Sequence, residues 1–147
     1  CLRLSPVPTP EEFERILLFP YSANRLPLPL LVVGRSATAR SYARRGLHSC
    51  LRMMAIRIAL HRKLNAVAWS AAKDDHRQSQ FQAMGCLRIP YTENWAGFLP
   101  SVEPPMLYVL QGVPKMVLGA GWLERRINQQ GTLFDIRVHI EQRTDRI

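Results

Sequence analysis

The stretch LLVVGRSATARSYARRGLHSCLRMMAIRIALHRKLNAVAWS, Leu30 to Ser70, decides the fold of this 147-residue chain. It opens with LLVVGR, an apolar run rich in β-branched residues that is typical of a buried strand. LNAVAWSA, Leu64 to Ala71, predicts a second strand. Between the two lie a basic turn and a helical pattern. This alternation of strand and helix predicts an α/β fold.

The helix after the turn carries a broad apolar face. Two stripes recur at helical spacing, Leu47, Leu51, Met54 and Ile58 in one and Cys50, Met53, Ile56 and Leu60 in the other. Two adjacent stripes predict a helix that is largely buried against a sheet. Cys50 is therefore expected to be a packing residue, although a thiol near a helix N-terminus can also be a nucleophile.

The remaining segments complete a mixed sheet flanked by helices. An extended proline-rich arm precedes a short helix, TPEEFERILLF, for which Thr9 is the expected N-cap. Later patterns predict a helix in KDDHRQSQFQAMG, strands in CLRIPY and PMLYVLQG, a loop from Thr92 to Pro105, a helix around GWLERRINQQG and a strand in TLFDIRVHIEQ. The predicted division is an arm with a short helix (1–27), a core (28–112) and an extension that completes the sheet (113–147).

Positive charge is concentrated in the first half of the chain. The net charge is +9, and no Asp or Glu occurs from Arg15 to Lys73. That span holds eleven basic residues, Arg15, Arg25, Arg35, Arg40, Arg44, Arg45, Arg52, Arg57, Arg62, Lys63 and Lys73. Such a field attracts phosphate, acidic protein surfaces or nucleic acid. The alternative is a solvated basic face without a specific ligand.

Cysteine content and hydropathy limit the class of protein. Three widely spaced cysteines do not form a disulfide framework, which favours an intracellular protein of the cytoplasm or an organellar matrix. No apolar run approaches the roughly 18 residues of a membrane span, so none is predicted. The histidines and cysteines lack the spacing of metal ligands, and no metal site is predicted.

Two short motifs resemble the core of the GCN5-related N-acetyltransferase (GNAT) superfamily. The turn ARRGLH, Ala43 to His48, stands where that superfamily has R/Q-x-x-G-x-G/A before a long helix. FQAMGC, Phe81 to Cys86, resembles its later motif, an aromatic residue followed by x-x-x-Gly-Phe. The resemblance covers Leu28 to Tyr108. It implies a GNAT-like mixed sheet flanked by helices.

The resemblance also implies a donor site at the basic turn. A helix N-terminus presents backbone N–H groups and a partial positive charge, and a glycine lets phosphate approach them. In the resembling family the turn holds the pyrophosphate of coenzyme A, and the pantetheine arm slips between two splayed parallel strands, here LLVVG and NAVAWS. The implied donor is an acyl-CoA or an acyl-carrier-protein thioester, and its expected binding residues are Arg44, Arg45, Gly46, Leu47, His48 and Ser49.

The chain departs from the family pattern at three positions. Ala43 replaces the first Arg or Gln, His48 replaces a small residue, and Phe81 stands where many members have a tyrosine general acid. Phenylalanine cannot donate a proton. The catalytic residues are therefore unknown. The candidates for a base are Glu93, Glu103 and His76, each of which is otherwise explained as a solvated side chain.

A narrower resemblance links the chain to acyl-homoserine-lactone synthases and long-chain N-acyl amino acid synthases. It rests on the strand that ends in Gly34–Arg35 and on the arginine-rich turn. These relatives can take acyl groups from an acidic carrier protein, which a basic face would suit. Val32 or Val33 stands where they often have a Glu. The segment before Leu30 is short for a complete member, so the N-terminal strands are expected to be missing or replaced.

Two functions of different class remain open from the sequence. The first is an N-acyltransferase of GNAT type that transfers an acyl group from an acyl-CoA or acyl-carrier-protein thioester to an amine. The second is a catalytically inactive GNAT-like basic scaffold that binds RNA through Arg35–Lys63 in a ribonucleoprotein such as an organellar ribosome. The acceptor and the acyl chain length are not predicted.

Overall fold

The chain folds around a five-stranded mixed sheet. The computed structural model describes residues 2–17, 21, 26–34, 40–42, 45–71, 75–90 and 106–129. In chain order its elements are β1 (Arg3–Val7), α1 (Pro10–Leu17), β2 (Leu30–Gly34), a 3-10 turn (Arg40–Tyr42), α2 (Leu47–His61), β3 (Ala66–Ala71), α3 (Asp75–Ala83), β4 (Leu87–Pro90), β5 (Met106–Gln111) and α4 (Val113–Gln129). The predicted α/β class is confirmed.

The strands lie in the order β1-β2-β3-β5-β4. β2 and β3 are parallel, whereas the other neighbours pair antiparallel. The parallel pair thus lies inside the sheet and is joined by the long helix α2, as a strand–helix–strand crossover requires.

The N-terminal segment differs from the predicted free arm. Residues 3–7 form the edge strand β1, in which Arg3 pairs with Gly34 and Val7 pairs with Leu30. The sequence pattern does not predict this strand because it contains Pro6, and proline is disfavoured in strands except at sheet edges. The segment before Leu30 therefore contributes one strand, at the place where strands were expected to be missing or replaced.

Alternation along the strands gives the sheet two buried faces. On the α2 face, odd-numbered residues of β2 and β3 such as Val33 and Trp69 pack with residues of α2, α3 and α4. On the α1 face, even-numbered residues such as Val32 and Ala68 pack with Phe13 and the rest of that smaller cluster. A residue at the end of β2 or β3 can therefore be assigned to one face by its number.

Local signals account for the start of α1. The Glu12 backbone N–H donates to Thr9 Oγ1 at 3.3 Å, so the predicted N-cap is confirmed. Glu11 and Glu12 lie in the first turn, where the positive end of the helix dipole favours acidic residues.

The buried face of α2 is rotated from the predicted one. Its buried residues are Cys50, Arg52, Ala55, Ile56 and Ala59. The predicted Leu51, Met54 and Ile58 are only partly buried. The helix turns its small alanines inward because it packs against both the sheet and α4. Cys50 is buried as predicted, and burial raises the pKa of its thiol, contrary to what a nucleophile requires.

Two glycines of α4 give a test of this packing. A Cβ at Gly119 would lie 2.8 Å from Leu110 Cδ1 and 3.3 Å from the Met84 carbonyl oxygen, whereas one at Gly121 would meet nothing closer than 3.5 Å. Gly121→Ala should raise the free energy of unfolding by about 0.5–1 kcal/mol, because alanine favours a helix. Gly119→Ala should lower it by about 1–2 kcal/mol through overpacking. Urea denaturation measures the free energy of unfolding of both variants. Equal changes in the two variants would contradict the close approach of Gly119 to Leu110 and Met84.

The C-terminal predictions divide at residue 130. The helix predicted between Val113 and Gln130 is confirmed as α4, and it packs on α2. The predicted loop Thr92–Pro105 and the strand TLFDIRVHIEQ lie outside the described residues. Of the helices in the described ranges, none is both long and apolar enough to cross a lipid bilayer.

Candidate functional site

The parallel strands β2 and β3 stop pairing with each other before they end. The last pair in their common ladder is Val33 with Trp69. Beyond it, Gly34 pairs with β1 while Ser70 pairs with β5, so each strand continues with its outer neighbour. An interruption of the sheet therefore lies between Gly34 and Ser70, at the carboxyl ends of the parallel pair. Open α/β sheets commonly bind ligands at such ends.

Two cavities adjoin this interruption, one on each face of the sheet. The α2-face cavity has a volume of about 240 Å³ and the α1-face cavity a volume of about 300 Å³. The first is lined by Leu2, Val33, Gly34, His48, Arg52, Trp69, Ser70, Ala71, Arg77 and Phe81. The second is lined by Arg3, Ser5, Arg15, Ile16, Leu17, Val32, Gly34 and Ser70. Gly34 and Ser70 line both.

Gly34 lies where the two cavities adjoin, and its lack of a side chain leaves space there. A Cβ added there would have no heavy atom of the described residues within 4 Å. The position is therefore space that a larger side chain would occupy, without displacing a described neighbour. By its even number that side chain would project toward the α1 face.

The basic turn before α2 presents the helix N-terminus. Gly46 is the N-cap, with φ 78° and ψ 0°, and no side chain among the described residues forms a capping hydrogen bond at this end. Glycine adopts this left-handed conformation without steric cost. The Cys50 N–H donates to the Gly46 carbonyl oxygen at 3.0 Å. The three preceding amides, Leu47 to Ser49, have no partner within the helix. Of the predicted donor-binding residues, Arg45 is exposed and Arg44 lies outside the described residues.

His48 connects this turn to the α2-face cavity. Its ring is half-buried and lines the cavity with Arg52 and Arg77. Burial, together with the positive charges of Arg52 and Arg77, lowers the pKa of His48 to about 4. The ring is therefore neutral at pH 7, with one nitrogen that donates and one that accepts. The ring lines the cavity and leaves it open.

Stability should fall as pH falls from about 6.5 to about 4, because the unfolded chain binds a proton at His48 before the folded chain does. Solvent screening of the half-exposed ring limits the loss to about 1 kcal/mol. His48→Gln should remove that share of the pH dependence in urea denaturation. His61→Gln, at an exposed position of the same helix, is the control. An unchanged pH profile in His48→Gln would contradict the assignment.

Arg52 is a buried cation on the inner side of α2. The residue is 6% exposed, and its Nη1 donates to Gln80 Oε1 at 3.1 Å. Its guanidinium carbon lies 4.5 Å from the centroid of the Phe81 ring. Burial lowers the pKa of Arg52 to about 10, and the charge of Arg77 adds to this, so the group remains charged at neutral pH. Within the described residues, its Nε has no hydrogen-bond partner and no carboxylate forms an ion pair with it.

Aromatic rings form the wall beside Arg52. Phe81 stacks on Tyr108 with centroids 4.3 Å apart and contacts Trp69 with centroids 5.6 Å apart. Phe81 is 1% exposed and Trp69 is also buried. Trp69 Nε1 is buried without a hydrogen-bond partner in the described part of the chain. The wall therefore supplies shape, and Phe81 supplies no proton.

Of the three predicted base candidates, the structure describes only His76, and it does not lie at the cavities. His76 is exposed on α3, with Gln80 Nε2 at 3.0 Å from its Nε2, and it lines neither cavity. Glu93 and Glu103 lie outside the described residues. Among the described residues, no Asp or Glu lines either cavity. The described part of the site is thus a positively charged one without a carboxylate.

The sequence contains a signal that Arg52 is buried, although Arg52 belongs to neither of the two predicted apolar stripes of the helix. Arg52 precedes Ala55, Ile56 and Ala59 at the spacings that place residues on one face of a helix. A charged residue within a buried stripe marks either a paired charge or a binding site. The interruption between β2 and β3 had no such signal, since it depends on the register of four strands.

No protein-family model matches the chain, and no curated protein matches it.

Proposed function

We propose that the chain is an N-acyltransferase of GNAT type that transfers an acyl group from a coenzyme A or acyl-carrier-protein thioester to an amine. The observation that carries this proposal is the interruption between β2 and β3, where cavities on opposite faces share Gly34 and Ser70. Two reactants that enter from opposite faces can meet there. Acyl transfer needs this arrangement, because the amine must reach the thioester carbonyl carbon while the rest of the donor stays bound.

The α2-face cavity is the donor side in this proposal. His48 belongs both to the first turn of α2 and to the cavity lining, so a ligand can extend from the helix N-terminus into the cavity. The turn amides suit a pyrophosphate. The pantetheine arm carries amide groups, which can pair with strand backbone beyond Val33 and Trp69, where the ladder has ended.

The α1-face cavity is the acceptor side. The neutral amine nitrogen attacks the thioester carbonyl carbon, the carbon–sulfur bond breaks, and the sulfur leaves as a thiolate. The nitrogen loses one proton to water as the amide forms, and water returns a proton to the thiolate to give the free thiol. Phe81 cannot protonate that thiolate. Arg77, which also lines the donor cavity, can instead stabilise its negative charge, since a neighbouring cation lowers the pKa of a thiol. Catalysis then rests on positioning and on this positive field.

Calorimetry with coenzyme A tests the donor site. The chain should bind coenzyme A with a micromolar dissociation constant, and pantetheine, which lacks the nucleotide and its phosphates, should bind about tenfold or more weakly. Absence of coenzyme A binding at millimolar concentration would overturn the acyltransferase proposal.

RNA binding tests the alternative. Filter binding to RNA across a salt series should give weak binding if the basic residues mainly serve a thioester. Tight binding with a steep salt dependence, together with no binding of coenzyme A, would replace the enzyme by the basic scaffold that the sequence left open.

A further inference from the structure

The α2-face cavity contains a buried positive charge that the described residues do not neutralise. Arg52 is 94% buried by area, as its exposed fraction is 6%, and Arg77 lines the same space. No described Asp or Glu lines the cavity. A buried cation without an anion is costly, and proteins usually pair such a charge. The arrangement therefore requires an anion from elsewhere.

The hydrogen-bond donors around Arg52 point to the same conclusion. Gln80 accepts one N–H of the guanidinium, while Nε remains without an acceptor in the described part of the chain. Trp69 Nε1 is a second buried donor without an acceptor there. A buried donor that lacks a partner costs free energy in the ligand-free protein. A carboxylate is an acceptor only, and it pairs with guanidinium groups in bidentate fashion.

We infer that the α2-face cavity binds the carboxylate end of a short dicarboxylic acyl group, with Arg52 as the residue that selects it. The inference rests on the proposed function, because the acyl group enters this cavity as part of the thioester donor. Its carbonyl end lies toward the interruption at Gly34 and Ser70, and its carboxylate end lies toward Arg52.

The shape and polarity of the cavity agree with this assignment. A volume of about 240 Å³ suits a short acyl chain. The neutral ring of His48 offers a further hydrogen-bonding group without adding a charge. The Phe81 ring packs against the Arg52 guanidinium, with the guanidinium carbon over the ring. A neutral acyl chain of the same length would leave the charged donors unpaired, and sites of this kind discriminate strongly against such analogues.

The experiment compares three ligands by calorimetry: coenzyme A, butyryl-CoA and succinyl-CoA. Butyryl and succinyl chains have the same number of carbons, and only succinyl carries the carboxylate. Succinyl-CoA should bind about 10- to 100-fold more tightly than butyryl-CoA, the range expected for a buried charge-assisted hydrogen-bonded pair. Equal affinities of the two thioesters would overturn the inference and leave the donor site intact. Binding of none of the three would overturn the inference and the proposed function together.

Variants locate the effect at Arg52. Arg52→Met should bring the succinyl-to-butyryl ratio close to one while coenzyme A affinity stays within about threefold, and Arg52→Lys should retain part of the preference. Arg88→Met changes the net charge equally at an exposed position that lines neither cavity, and it should keep the wild-type ratio. Should Arg52→Met fail to fold, the ratio in the wild-type chain and in Arg52→Lys still decides. A preference that persists in Arg52→Met would also contradict the assignment.

Discussion

Replacement of Gly46 by aspartate is expected to weaken the binding of coenzyme A by about 100-fold. The new carboxylate lies beside the first amides of α2, where the pyrophosphate is proposed to bind. It repels the phosphates, and it satisfies the positive end of the helix itself. A loss of two decades corresponds to about 2.7 kcal/mol of binding free energy. Calorimetry measures the loss directly.

The matched control is Gly46→Asn. Asparagine has the same shape as aspartate and also tolerates the left-handed conformation at φ 78°, so the backbone cost is the same for both variants. The asparagine variant should lose about tenfold or less. If the two variants bind coenzyme A equally well, the phosphates do not lie at this helix end, and the donor site must be sought elsewhere.

Arg52→Met is expected to stabilise the ligand-free protein by about 1–2 kcal/mol, because a well-packed apolar side chain replaces a buried charge without a carboxylate partner. Methionine keeps much of the arginine stem volume and its contact with Phe81. The gain is limited by the lost hydrogen bond to Gln80 and the lost stacking on the ring. Urea denaturation at pH 7 measures it.

The comparison variant for Arg52 is Arg57→Met on the same helix. Arg57 is half-exposed and pairs with Glu124 at 3.3 Å, so its loss should change the free energy of unfolding by less than about 1 kcal/mol. If Arg52→Met lowers the free energy of unfolding by several kcal/mol, then a group of the protein pairs with the buried guanidinium. The charge would then serve the fold, and the case for an anion in the cavity would fail.

The secondary structure of this chain follows largely from local signals. Thr9 marks the start of α1, Gly46 marks the start of α2, and the β-branched run LLVV marks β2. These signals act through neighbours in the sequence, so the pattern alone can reveal them. The glycine turn before α2 was also predicted, because a glycine before a long helix has a physical meaning without tertiary context.

The features that define the site depend on contacts that no local pattern records. The interruption between β2 and β3 arises because Gly34 follows β1 and Ser70 follows β5, which is a matter of register across the sheet. The rotation of α2 that buries Arg52 results from packing against α4. His76, which the sequence offered as a base, lies on the exposed side of α3, and the sequence pattern does not record which side of that helix faces the protein.

The edge strand β1 has a consequence for both chambers of the site. Leu2 borders one of them, and Arg3 and Ser5 border the other, so a single short segment at the rim closes two compartments at once. If that segment separated from Gly34, both cavities would lose part of their lining. Binding of the proposed donor and of the proposed acceptor would thus depend on the same five backbone pairings between β1 and β2.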